Sequence, residues 1–427
     1  MKREERNPES FPAPAPAARP ARRWWLLFAL LTAAYFGLFV LHPNLYFALG
    51  VAHYGAWFID TFALLASNDA VSRGLNPYDN NPLDYFHRPH VYSHWWLHLR
   101  DLGLTRADTM RLGLGLVGAF LLAALARLRP ASARQVWWYA AVLCSAPVLL
   151  AVDRGNNDLV IFVLLAPLVP CLLSGHRWVR LMAPFLVAAA AALKYYPATA
   201  GLVLLAAADR DELRPRLLVT GLLLTCAGLS VAGDLALFGP LAPQPEGLLS
   251  FAATGFFHEL GWTGWAPKLV CAGAGLAAAV CFWSGRMLQD WEPLPARRSD
   301  WLHFVLGAAL LTACFFTSSN FGYRWIFSIW LAPFLWMLPG DPSAPGPVRR
   351  LAHWTRWLLL AVLWWASLCC IVLNLLIGVV PAATVMRLAS WSYLAEQPMD
   401  WAFFLCLLVF LVHFTRRRLA VLRRVQP

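Results

Sequence analysis

The sequence predicts an all-α, polytopic integral membrane protein, and three observations carry that prediction. Of its 427 residues 59% are hydrophobic and only 14% charged, whereas a soluble domain carries about 25% charged residues. Such a chain has too little polar surface to face water. Its apolar residues run in long uninterrupted blocks, the pattern of lipid-facing helices. Many of its 22 Trp residues sit at block ends, where an interfacial aromatic belt belongs.

The chain opens with a charged, Pro/Ala-rich stretch over 1–23, which reads as a disordered cytoplasmic tail. No small-residue cleavage site follows a short apolar core, so it is not read as a signal peptide. The membrane domain spans 24–415. Its first span covers 24–41. A long connection over 42–109 is amphipathic rather than apolar and belongs outside the hydrocarbon. Further spans are expected at 110–127, 136–152, 158–174, 179–193, 197–208, 217–233, 268–285, 301–316, 325–339, 354–376 and 400–415, about twelve in all. Several are shorter than the ~20 residues a straight crossing needs. A basic cytoplasmic tail, 416–427, closes the chain.

Charge tests this topology. With the N-terminus inside, 25 of the 35 Lys and Arg fall in inside connections, and every inside turn carries at least two cations. That is the positive-inside pattern of a multi-pass protein of the cell membrane. The net charge of +12 therefore serves topology, in short clusters between apolar blocks, and does not indicate nucleic acid. The nine Cys lie mostly within apolar blocks (Cys144, Cys171, Cys226, Cys271, Cys281). They show neither metal spacing nor a disulfide framework.

Cations that break the inside bias are the informative ones. Arg154 lies in DRGNND, Lys194 in LKYYP and Arg324 in TSSNFGYRW, each alone in a short outer turn among polar groups. Ionisable groups at such depth face a cavity or an ion partner. Three cations converging on one cavity suit a phosphate, and at the outer face a phosphate most naturally belongs to a lipid carrier. No Gly-rich strand-to-helix turn for a nucleotide is present. Against this, the cations could snorkel to the interface or pair with Asp153 and Asp158.

The long connection supplies a candidate base. In GVAHYGAWFIDTFALLA, residues His53, Trp57, Asp60 and Leu64 recur at helical spacing, which places His53, Trp57 and Asp60 on one face. Asp60 in apolar sequence company suits a general base for a hydroxyl, with the aromatic ring beside it to hold a sugar. The competing reading is a structural Asp, paired with Arg73 or Arg88. His87, His90 and His94 lack the spacing of a helical metal site and are read as loop or substrate contacts. The stretch 234–268, with His258 and Glu259, is read as a surface loop.

The stretch 60–78 resembles the first outer loop of the family-87 GT-C glycosyltransferases, the polyprenol-phosphate-dependent mannosyltransferases and their relatives. Asp60 is followed by Ala70, Gly74, Asn76, Pro77 and Tyr78, similar to that family's Asp, Ala-containing helix and Gly-x-x-Pro-Tyr-like turn. RGNND before LVIFVLL resembles its Gly-Gln/Asn-x-Asn turn, and ALKYYPA its Lys-x-x-Pro turn. The likeness runs to about residue 205 and thins afterwards. It departs where the family commonly has Tyr-Pro-Pro and this chain has Tyr92-Ser93-His94, and at Leu64, where Tyr is frequent.

The resemblance implies a GT-C-like architecture with a long first outer loop. It also implies transfer of a sugar, a mannose-like hexose by default, from a polyprenyl-phosphate donor to an acceptor hydroxyl of a lipid, glycan or protein. Transfer would take place on the outer (periplasmic or extracellular) face with inversion. Asp60 would be the base, and Lys194, Arg154 and Arg324 would hold the donor phosphate. His53, Trp57, Tyr78, Asn156, Asn157, Asp158 and Tyr323 would contact substrate. Neither metal nor cofactor is expected. A transporter or flippase of a lipid-linked or anionic solute would use the same cations without a base. A scaffold, or an enzyme using a diphosphate carrier, are further alternatives.

Overall fold

The computed structural model describes residues 22–423 except 207–209, 239–240, 242–244, 246, 286–287, 289–290 and 318–319. The expected tail therefore lies outside the described residues up to position 21. So do Ser318 and Ser319 of the outer turn around Arg324, and 424–427 of the basic tail.

The chain is a helical membrane protein. Its helices are α1 (Arg22–Leu41), α2 (Asn44–Ala48), α3 (Ile59–Ser72), α4 (Thr109–Arg127), α5 (Ala133–Leu143), α6 (Ala146–Arg154), α7 (Asp158–Leu165) and α8 (Leu168–Leu172). They continue as α9 (Arg177–Leu193), α10 (Arg210–Phe238), α11 (Gly255–Glu259), α12 (Trp265–Gly285), α13 (Arg298–Thr317), α14 (Ala332–Met337), α15 (Gly346–Leu376) and α16 (Ala382–Arg423). Two-residue strands β1 (Ser250–Phe251) and β2 (Asn320–Phe321) pair antiparallel, Ser250 opposite Phe321 and Phe251 opposite Asn320.

Among the described residues seven helices are long and apolar enough to cross a membrane, or eight if the pair α5–α6, bent by 54°, counts as one span. That is fewer than the twelve crossings the sequence predicts. The predicted spans at 158–174, 197–208 and 325–339 fold instead as short or 3₁₀ pieces, α7 with α8, Tyr196–Ala206, and Gly322–Trp330 with α14, and the one at 179–193 folds as the 17-residue α9, with Pro184 inside it, which is not among those seven. The basic segment 416–423, read as a tail, continues α16 as helix.

Two cavities explain the short pieces. One, of about 620 Å³, is lined by Asp60, Arg154, Lys194, Asn320 and Arg324. The other, of about 1520 Å³, is lined by Arg134, Pro170, Ser299 and Met337. Segments 134–154, 299–320 and 324–337 each run from one cavity to the other, and 158–170 runs to the larger cavity from Asp158, which holds Lys194 from behind the wall of the smaller one. The stretch from Asp158 to Pro170, twelve helical steps, rises only ~18 Å as helix, against a hydrocarbon slab of ~30 Å. Where polar cavities enter from both ends, the partition between them does not need full-length helices. The ends also sort as the charge pattern predicts. Arg154, Lys194 and Arg324 share one end, while Arg127, Arg129, Arg297 and Arg356 share the other.

Around this partition, α13 is buried along most of its length. Phe162 stacks on Trp330 at 4.4 Å, and Phe315 on Phe404 at 4.0 Å, locking α7 and α16 to the centre. The faces of α1, α4, α10, α12 and α15 present Leu30, Leu122, Leu218, Leu276 and Leu375 outward, as lipid-facing helices do.

Candidate active site

The smaller cavity is assembled from four turns, and the first contact is made by an unusual backbone. Phe58 precedes α3 in the left-handed region (φ 59°), a conformation that costs a bulky residue energy. Its N–H donates to Asp153 O at 2.8 Å, and Thr61 Oγ1 donates to Gly155 O at 2.7 Å. The Phe58 ring lies against Gly113 and Gly155, where a Cβ at either position would overlap or crowd it. Gly155 itself has φ +53°, and a Cβ there would come within 2.6 Å of Thr61 Oγ1. Glycine at 155 thus lets the DRGNND turn close onto the start of α3.

That closure sets Asp60, in the first turn of α3, beside Arg154 and Asn156. Asn156 Nδ2 donates to Asp60 Oδ2 at 2.7 Å, while its Oδ1 accepts from Asp158 N at 2.9 Å. Arg88 Nη1 donates to Asp60 Oδ1 at 3.3 Å, and Arg154 Nη1 stands 3.9 Å from the same oxygen. The neighbourhood of Asp60, apolar in sequence, is therefore polar in space. Its nearer ion-pair partner is Arg88, one of the two expected under the structural reading, with Arg154 as a second in place of Arg73. Arg88 is fixed in turn by Asp84, through Nε at 2.9 Å and Nη2 at 3.0 Å, and by Ile59 O at 3.0 Å. Burial alone would push the Asp84 carboxyl up, but its hydrogen bonds and charge contact with Arg88 outweigh this and hold it below the usual carboxylate range.

Deeper in, Asp158 is wholly buried at the start of α7. Lys194 Nζ, at the end of α9, donates to Asp158 Oδ1, and Tyr196 OH donates to the same oxygen at 2.6 Å. Arg324 Nε lies 3.5 Å from Oδ2. The β1–β2 pair anchors the turn that carries Tyr323 and Arg324. Aromatic rings fill the spaces between cations: Lys194 lies over Tyr92 and Tyr323 at 5.6 and 6.0 Å, and Arg324 over Tyr196 at 4.8 Å. Arg154 lies over Tyr54 and Phe321, and its Nε has no hydrogen-bond partner. One cavity wall is apolar, formed by Ala192, Leu193, Val231, Leu235 and Leu241.

Of the residues predicted from sequence, Asp60, Arg154, Lys194, Arg324 and Tyr323 line this cavity. The other predicted substrate contacts, His53, Trp57, Tyr78, Asn156, Asn157 and Asp158, do not form its wall. Asn156 and Asp158 act from behind, holding Asp60, Lys194 and Arg324. Asn157 is buried with its amide unpartnered. Tyr78 packs edge-on against His90 at 5.5 Å. His53 and Trp57 are not on the α3 face as expected. The positive φ of Gly55 and Phe58 breaks the helical register, and α3 begins only at Ile59. The two rings still touch at 4.9 Å, and His53 Nδ1 lies 2.7 Å from Asp153 Oδ1.

The three His of the loop separate. His90 is buried, and its pKa is pushed down to about 4 by that burial. His94 is held by Asp234 of α10 at 2.8 Å, and His87 has φ 53°. Among the described residues no group of three or more His, Cys, Asp or Glu could hold a metal ion.

Sequence reasoning assigned no site role to Arg88 beyond a possible pairing, and none to Tyr54, Tyr92, Tyr196 or Lys268. Arg88 and Lys268 carried the same signal as Lys194, a cation on the side where few occur. No protein-family model, curated protein or solved structure matches the chain.

Chemically, the cavity offers a carboxylate, a set of guanidinium and ammonium groups, aromatic faces and an apolar wall. Such a place can hold a phosphate, orient a ring and accept a proton from a hydroxyl.

Proposed function

We propose that the chain is a membrane glycosyltransferase of GT-C-like architecture that uses a polyprenyl-phosphate sugar as donor. The observation that carries this reading is the meeting of Asp60 with Arg88, Arg154, Lys194 and Arg324 around one cavity with an apolar wall. The apolar wall suits the polyprenyl chain and the cations suit its phosphate. Asp60 takes the proton of the acceptor hydroxyl, which attacks the anomeric carbon in line and inverts it. Negative charge developing on the leaving phosphate is offset by cations already in place, the strongest stabilisation such a site can supply. Arg154, with a free Nε, and Lys268 on the cavity wall are the cations least committed to protein carboxylates. In this reading the cavity faces the outer side of the cell membrane, and the short pieces around it complete the twelve passes of the chain. The acceptor is a hydroxyl of a lipid, glycan or protein.

The test incubates detergent-purified protein with radiolabelled polyprenyl-phosphate and polyprenyl-diphosphate sugars plus total lipid extract. It measures product and donor binding separately. Asp60→Asn should lower turnover by ~10²–10⁴-fold, the usual size for loss of a general base, and leave donor binding in place. Full transfer by a well-folded Asp60→Asn would remove Asp60 from the base role. Binding without product from any donor would favour a transporter or flippase of a lipid-linked solute.

A further inference from the structure

The larger cavity, at the opposite end of the partition, has no part in that chemistry. Five arginines line it, Arg127, Arg129, Arg134, Arg297 and Arg356, against two carboxylates, Asp300 and Asp341. One carboxylate is already taken: Arg127 Nη1 donates to Asp300 at 2.7 Å. The remaining Arg127 nitrogens, Nε and Nη2, are buried and have no hydrogen-bond partner. Arg129 donates one N–H to Ala126 O at 2.9 Å. Arg297 Nη1 meets only the thioether of Met337, a weak acceptor. Arg356 stacks over Trp336 and Trp357 at 5.5 Å. Topology alone would be satisfied by arginines scattered over the surface. Here five converge on one basin of about 1520 Å³, with one carboxylate already paired and two buried Arg127 nitrogens without an acceptor.

Guanidinium groups in excess over carboxylates, with unfilled planar donors, call for a multidentate oxyanion. The ligand's second character is set by the surroundings. Trp137 on α5 and Trp357 on α15 stand exposed, and with Trp138 and Trp336 they line the basin. Tryptophan belongs at the headgroup level of a bilayer. We propose that this basin binds the phosphate headgroup of an anionic lipid from the leaflet opposite the Asp60 cavity. The inference is independent of the glycosyltransferase reading, since it uses none of its residues. The lipid's phosphate oxygens meet the exposed guanidinium groups of Arg129 and Arg134, with Arg127 behind them, and its acyl chains lie outside against α5 and α15.

The test reconstitutes the full chain into vesicles of phosphatidylcholine with a minor share of phosphatidylglycerol, extracts it gently, and counts retained lipids by native mass spectrometry. Wild type should keep phosphatidylglycerol in preference to phosphatidylcholine. Arg129→Gln/Arg134→Gln removes two exposed side chains and leaves the Arg127–Asp300 pair, so folding should survive. It should cut retention roughly tenfold, the scale of lost charge-assisted contacts. Arg349→Gln/Arg350→Gln, exposed arginines outside the basin, should retain lipid as wild type does. Equal loss in both variants, or undiminished retention in the first, would overturn the proposal. Displacement of the lipid by inorganic phosphate alone, at parity with lipid, would assign the basin to a soluble anion and equally defeat it.

Discussion

Asp158→Asn is the most informative single change, because one buried carboxylate holds the deep end of the site together. Asp158 is the counter-ion of both Lys194 and Arg324 and accepts from Tyr196. The substitution keeps size but removes the one negative charge shared by two cations, each less than a sixth exposed. Breaking a buried pair by removing one partner costs ~3–5 kcal/mol. The loosened Tyr196 hydrogen bond adds ~1 kcal/mol at most. A loss near ~4 kcal/mol is a large share of the roughly 5–15 kcal/mol that holds a typical fold. Little monodisperse protein should therefore survive extraction, and what does should lose its size-exclusion peak at a much lower temperature than wild type. Removing one surplus cation should repair part of the damage. Asp158→Asn/Lys194→Met should be more stable than Asp158→Asn alone, with a coupling of ~2 kcal/mol or more. The measurement is fluorescence-detected size exclusion after a heating series. An Asn variant that melts with wild type, or a double variant no better than the single one, would refute the view that these cations are held by Asp158.

Four further outcomes are expected. Gly155→Ala should cost about 1–2 kcal/mol from its left-handed backbone alone and break the Thr61 contact. Gly118→Ala, with open space around it, should be neutral or slightly stabilising in the same melting assay. His90 makes the long loop acid-sensitive. Its pKa is lowered from 6.5 to about 4, so folded protein resists a proton that unfolded chain accepts. Stability is full above about pH 6.5 and falls by roughly 3 kcal/mol as pH drops through about 4. His90→Gln should flatten the profile of melting temperature against pH, and an unchanged profile would count against it. Asp400, buried in α16 with neither oxygen hydrogen-bonded, should tolerate Asn with less than ~1 kcal/mol of change. A large loss by differential scanning fluorimetry would mean that its charge has a partner.

Much of this was legible in the chain, and the reason is electrostatic. Positive-inside bias makes each cation on the wrong side conspicuous, so Arg154, Lys194 and Arg324 stood out, and they meet at one cavity. Hydropathy located the long helices α1, α4, α10, α12, α13 and α15 for the same kind of reason, since lipid demands continuous apolar runs. Two things did not follow from it. Window hydropathy cannot tell a full crossing from a short piece such as α7 or the 3₁₀ turn from Tyr196, because both are equally apolar. The difference lies in polar cavities made by distant segments. Periodicity likewise placed His53 and Trp57 on a helix, since it is blind to a left-handed Phe58, a conformation fixed by packing against Gly113 and Gly155.

The deep ion cluster has a consequence for how the protein is made. Asp158 and Lys194 stand only 36 residues apart in the chain, whereas Arg324 follows 130 residues after Lys194. During synthesis the first two can enter the bilayer as a neutral couple, with Tyr196 already beside them. Two opposite charges delivered together cross the translocon at less cost than either alone. Arg324 arrives after most of the chain has emerged, carried on the turn that β1 receives. A nascent chain stalled before that turn would hold a balanced Asp158–Lys194 pair and an unfinished pocket. Arg324, the third charge of the cluster, is thus installed well after the pair that it joins.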